Sequence, residues 1–178
     1  MRTVELTCDD EFDRAVREVW DRLAEAGLPS LTLNTHPTHR PHLTLATCDS
    51  FPAGARRRLD EALSPPNLPL RVRLTGLLSF SARSRRRVLV WGVVPTGELL
   101  ALHRAVWDAL EGAGERGPLL APGRWMPHVG LTRRLEPEQV AAALLVLGRL
   151  PDLTGSFDAA RSYDTVSHTT DALGGTAW

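Results

Sequence analysis

A shift of 86 residues constrains this chain more than any single motif. "RPHLTLA" (40–46) and "MPHVGLT" (126–132) each give a proline, a histidine, an apolar residue, a small residue and a leucine, and His42 lies 86 positions before His128. The same shift carries the neighbouring patterns. An alternating strand at 3–7 maps onto 89–93. A helix starting near residue 9, with Phe12, Val16, Val19, Trp20 and Leu23 on one face, maps onto a second starting near 95. Its Gly27 stop maps near Gly112 and Gly114, and a strand at 70–79 maps onto 156–165. Two strand–helix–strand–helix–strand units are therefore expected. The fold class is α+β and bilobal: pseudo-twofold repeats, sheets lining a central cleft, helices outside. The chain reads as one domain over 1–178, with repeat one at about 1–80, repeat two at about 86–166 and a C-terminal tail at 167–178. Clefts between such halves are favoured ligand sites.

Composition narrows what that cleft can do. All 21 basic residues are arginine, which excludes lysine nucleophiles and Schiff bases, and the formal net charge is zero. Bulk charge therefore does not draw a long polyanion, and an anionic ligand must be held by a local basic cleft. Cys8 and Cys48 show no pairing logic and read as free thiols of a reducing compartment. The longest apolar run, "VAAALLVLG" (140–148), is too short for a bilayer. The reading is a soluble, cytoplasmic monomer with no membrane partner.

Two histidines facing one cleft suit general acid–base chemistry. An imidazole titrates near neutrality, so one ring can take a proton from an attacking oxygen while the other gives one to a leaving oxygen. That opens or closes a phosphodiester without metal. Thr44 stands two residues from His42 on the same strand face and can donate to a phosphate oxygen. In the second copy Gly130 has no side chain, and Thr132, two further along, is the substitute donor. The doubled His-apolar-Thr-apolar pattern resembles the two-histidine (2H) phosphoesterase superfamily, and most nearly its bacterial 2′-5′ RNA ligase and cyclic phosphodiesterase branch. That resemblance implies hydrolysis of 2′,3′-cyclic phosphate ends of RNA or nucleotides, reversible 2′-5′ ligation, and no metal cofactor. It makes His42 and His128 the acid–base pair, Thr44 a phosphate donor, and a small phosphodiester or RNA end the ligand. The family's second hydroxyl residue falls on Gly130 here, so a binding module without turnover stands as the alternative.

Other residues carry two readings each. Arg40 and Arg124 precede the two histidines and suit a phosphate bidentately, or are solvated. Trp125 suits stacking on a base, or packs between the lobes. "SARSRRR" (81–87) reads as a hairpin tip with a solvated basic end or an RNA-backbone contact, and Arg133 and Arg134 share that choice. His36, His39 and His42 are spaced H-x2-H-x2-H, but Pro37 and Pro41 preclude a helix and no fourth ligand follows.

Overall fold

The computed structural model describes residues 1–148 and 150–175. Strand β1 (Arg2–Cys8), helix α1 (Asp10–Glu25), β2 (His42–Cys48), α2 (Ala55–Ala62) and β3 (Leu70–Ser81) come first. Then follow β4 (Arg87–Val93), α3 (Gly97–Ala109), β5 (His128–Gly130), α4 (Pro137–Leu147) and β6 (Leu153–Asp164). The strand–helix–strand–helix–strand order thus occurs twice in a mixed α+β fold. A further strand, β7 (Thr170–Leu173), pairs with β6 inside the segment read from sequence as a tail. The last residues of that tail, 176–178, lie outside the described residues.

Local chemistry explains the elements. Asp9 caps α1 by accepting the Phe12 N–H at 2.8 Å, and acids at 10, 11 and 13 suit the positive end of the helix. Phe12, Val16, Val19, Trp20 and Leu23 are its buried stripe, and Gly27, with φ +71°, lets the chain turn away. Thr96 caps α3 in the same way. Pro137 opens α4 at a position where its missing N–H costs nothing.

Every strand pairing is antiparallel: β1 with β2 and β6, β5 with β2 and β4, β3 with β4 and β6, and β7 with β6. The first six strands close a circuit, β1-β2-β5-β4-β3-β6-β1. Each unit lends its third strand to the other: β3 pairs with β4, and β6 pairs with β1. One sheet face carries Leu43, Leu45 and Val129, which join the buried faces of the helices in a single apolar core. The opposite face carries His42, Thr44, His128 and Gly130.

β5 ends at Gly130, before the last two residues of the motif "MPHVGLT". The Leu131 and Thr132 N–H groups both donate to the Leu89 carbonyl at 3.1 Å, which ends the regular ladder. Thr132 then bridges to Ser30.

Gly155 is set against Phe12, and a β-carbon there would drive into the phenyl ring. Gly155→Ala is expected to cost about 1–3 kcal/mol in urea denaturation, the penalty of overpacking. Gly97→Ala, with open space around it, is expected to leave stability unchanged or slightly raised.

Candidate active site

The two histidines are held by the same bond. His42 Nδ1 lies 2.8 Å from the Arg40 carbonyl, and His128 Nδ1 lies 2.7 Å from the Met126 carbonyl, in each case the residue two before. A carbonyl only accepts, so Nδ1 carries the proton in both rings and Nε2 is left for chemistry. Pro41 and Pro127, between ring and carbonyl, restrict the backbone that makes this bond. Leu43 pairs with Val129. The antiparallel register then sets Gly130 opposite His42 and His128 opposite Thr44. His42 and His128 are diagonal neighbours on one face, roughly 7–8 Å apart by sheet geometry and somewhat closer at their β-carbons.

Their surroundings differ. On the His42 side β1 presents Thr3, Glu5 and Thr7, with Glu5 opposite Thr44 and Arg161. Glu5 and Arg161 form a buried ion pair, Nε to Oε2 at 2.9 Å. Thr3 donates to Oε1 at 2.7 Å, and His42 Nε2 stands 3.8 Å from that same oxygen. Burial alone would raise the Glu5 carboxyl, but the charges of His42 and Arg161 and hydrogen bonds from Thr3 and Arg161 outweigh it and hold it ionised. These groups floor a cavity of about 340 Å³, with Tyr163 and His36 among its other walls. On the His128 side the corresponding β4 residues are Val88, Val90 and Gly92. Leu78 and Phe80 pair with Val90 and Val88, and the Phe80 ring meets the His128 ring edge-on at 4.9 Å. Burial lowers the His128 pKa, the bond to Met126 opposes, and the charge of His42 lowers it further.

The structure brings His42, His128 and Thr44 to one face and places the other expected residues elsewhere. Thr132 is buried and accepts the Leu89 N–H at 2.9 Å, so its hydroxyl is turned from the histidines. Arg40 donates to the Cys8 carbonyl at 2.9 Å and pairs with Asp13, so it braces the loop before β2. Trp125 is a core residue, stacked on His103 at 4.0 Å with its indole donating to the Thr44 carbonyl. Arg124 is exposed on the segment leading to His128. Leu31 sits over Gly130, close enough that a β-carbon there would lie 2.8 Å from its Cδ1. Among the described residues no three His, Cys, Asp or Glu side chains are placed to hold a metal. His36 bonds Thr38, His39 stacks on Trp20, and His42 bonds Arg40.

Sequence reasoning missed Glu5, Arg161 and Tyr163. The one available signal was an acid in the middle of an apolar strand, "TVELT", matched by a base in "AARSY".

Comparison with known proteins fits this geometry. The model of the 2′-5′ RNA ligase superfamily matches residues 9–168, and the chain belongs to that family. Membership supports a two-histidine phosphoesterase or RNA-ligase type of function. The fold is shared with solved structures of low identity. LigT of E. coli is 18% identical over 99% of this chain and 95% of its own, with a TM-score of 0.57. TT0787 of Thermus thermophilus is 17% identical over 99% of both chains, with a TM-score of 0.57. Usb1 of Kluyveromyces marxianus is 10% identical over 97% and 96%, with a TM-score of 0.58. LigT has been crystallised with 3′-AMP and Usb1 with uridine monophosphate. No curated protein matches in sequence. No described helix is long and apolar enough to cross a membrane.

His39 gives a pH test of this wall. Burial, reinforced by the charge of His42, pulls its pKa from 6.5 to about 4. Between those values the unfolded chain binds the extra proton, so stability is full above pH 6.5 and falls as pH drops towards 4. Melting temperature is expected to follow that course, and His39→Phe, which keeps the stack on Trp20, is expected to flatten it.

Proposed function

We propose that the chain is a metal-independent phosphodiesterase that opens 2′,3′-cyclic phosphates on RNA ends or nucleotides, with reversible 2′-5′ ligation where a ribose 5′-hydroxyl takes the place of the attacking water and the 3′ oxygen leaves. The observation that carries the reading is the pair of Nδ1–carbonyl bonds, which leaves two Nε2 atoms on one face of adjoining strands. The nucleotides bound by LigT and Usb1 support a ligand of this class. Buried, unpaired Cys8 and Cys48 support a cytoplasmic setting.

The unequal surroundings support unequal roles. His128, desolvated against Phe80, is the neutral base and takes the proton of the attacking water at Nε2. The water oxygen bonds to phosphorus as the bond to the 2′ or 3′ ribose oxygen breaks. His42, beside the Glu5 carboxylate, gives its Nε2 proton to that leaving oxygen. Thr44, opposite His128, donates to a non-bridging oxygen. Exposed Arg124 draws the anion towards the cleft. Arg40, Trp125 and Thr132 support the strands and loop that hold these groups.

With a chelator present, wild-type turnover of a cyclic nucleotide is expected to be undiminished. His42→Ala and His128→Ala are each expected to lose about 10²–10⁴ in kcat. A p-nitrophenyl phosphodiester needs no acid, so it is expected to restore His42→Ala and not His128→Ala. Rescue of the other variant would reverse the roles. Because burial lowers the base, activity is expected to hold on the acid side to below the ordinary imidazole value of about 6.5. Nucleotide binding without turnover would make the chain a binding module instead.

A further inference from the structure

Beyond the apolar His128 side of the face lies a basic groove. A groove of about 770 Å³ is lined by Leu28, Leu33 and Val88 and walled by Arg86, Arg133 and Arg134. Val88 stands on the same sheet face as His128, four residues along β4 from Gly92, the partner of His128. That is roughly 13 Å of strand. The loop after α1 borders both hollows, lining the groove with Leu28 and Leu33 and the cavity beside His42 with His36.

The charge there is concentrated and largely unspent. The β3–β4 turn adds Arg83 and Arg85, both exposed. Ser84 and Arg85 adopt φ of 61° and 63°, a strained turn that sets the two arginines at its tip. Arg86 pairs with Glu136 through Nη2, while its buried Nε has no hydrogen-bond partner. Among the described residues, Arg83, Arg85, Arg133 and Arg134 have no side-chain hydrogen bond or ion pair. A chain with no net charge has thus gathered five arginines along this groove and turn, of which Arg86 alone forms an ion pair among the described residues, with Glu136. The floor is apolar, with Leu33 53% exposed. Guanidinium walls over an apolar floor match a single strand: phosphates along the arginines, base faces on Leu33 and Val88.

We infer that this groove is a track for single-stranded RNA, so that the substrate is the end of an oligonucleotide whose chain leaves the cleft past His128. The inference rests on the phosphodiesterase reading, and its test separates the two. A labelled RNA of roughly ten nucleotides ending in a 2′,3′-cyclic phosphate is followed by fluorescence anisotropy across a salt series, and its turnover is compared with that of the cyclic mononucleotide. The exposed triple variant R83A/R85A/R134A is expected to bind the RNA at least about tenfold more weakly, with a log–log salt slope shallower by about two. Its mononucleotide turnover is expected to match wild type. RNA binding unchanged in the variant would overturn the inference, as would equal losses on RNA and mononucleotide. Displacement of the RNA by polyglutamate at equal charge would also overturn it, because it would show an unspecific polyanion surface. If wild type turned over neither substrate but the variant lost RNA binding, the phosphodiesterase reading would fall and the strand track would stand.

Discussion

Pairing of β1 with β6 joins the first strand of the chain to its last long one, from Arg2 opposite Asp164 to Cys8 opposite Phe157. β1 also pairs with β2, and β6 with β3, so this ladder closes the circuit of strands. Without it β1 would present an unpaired edge, the β6 wall would swing away from His42, and Glu5 would lose Arg161. Closing a loop of this length costs only logarithmically more than closing a short one. The burial of Val4, Leu6, Phe157 and Ala160 in the joined core offsets that cost. Each unit thus depends on the other for its third strand, and the histidine face exists only when both have folded.

The ion pair inside that ladder is a poor device for stability. Removing a carboxylate and a guanidinium from water costs several kcal/mol per ion, and their attraction repays it only when every polar atom is bonded. Here the bonding is close to complete: Arg161 Nε donates to Glu5, its Nη1 to the Thr38 carbonyl, and Thr3 to the second carboxylate oxygen. What the arrangement provides is a fixed negative charge beside His42 and a rigid polar floor beneath it. The equivalent place on the other side is Val90, with Leu78 and Phe80 next to it. Duplicated histidines in unlike surroundings are chemically unlike, and a two-proton reaction needs one ring charged and the other neutral.

How much of this the sequence discloses depends on the range of the interaction. Local patterns were legible: the α1 stripe, the Gly27 stop and the doubled element order follow from spacing and propensity within a few turns. The exchange of β3 and β6 between units was not, because strand pairing across the chain leaves no local trace. Glu5 illustrates this. In an alternating strand a charged residue reads as solvent-facing, yet β1 is covered on both faces and Glu5 is only 4% exposed. Trp125 and Thr132 illustrate the reverse. Their positions beside a histidine motif suggest ligand contact, but both lie outside the short β5, one before it and one after, and the chain turns both side chains to structural partners, the Thr44 carbonyl and the Leu89 N–H.

Gly130 reads differently once Leu31 is in view. From sequence it is a position that lacks the hydroxyl of the first copy, either a lost donor or bare backbone that a ligand can approach. In the fold, the loop after α1 crosses to β5, where Leu31 N–H donates to the Leu131 carbonyl and the leucine side chain occupies the space above Gly130. The loop after α3 crosses to β2 in turn, where Gly117 N–H donates to the Thr47 carbonyl. Both crossings brace the strands that carry the histidines, but only the first places an apolar side chain on the face where a second hydroxyl would stand. The glycine is therefore part of a packed contact rather than a hole. With one side filled by leucine, the hydroxyl that remains on this face of the two strands, that of Thr44, lies on the side of Glu5 and His42. The glycine that leaves this half without a hydroxyl thus adds to the difference between the two histidines.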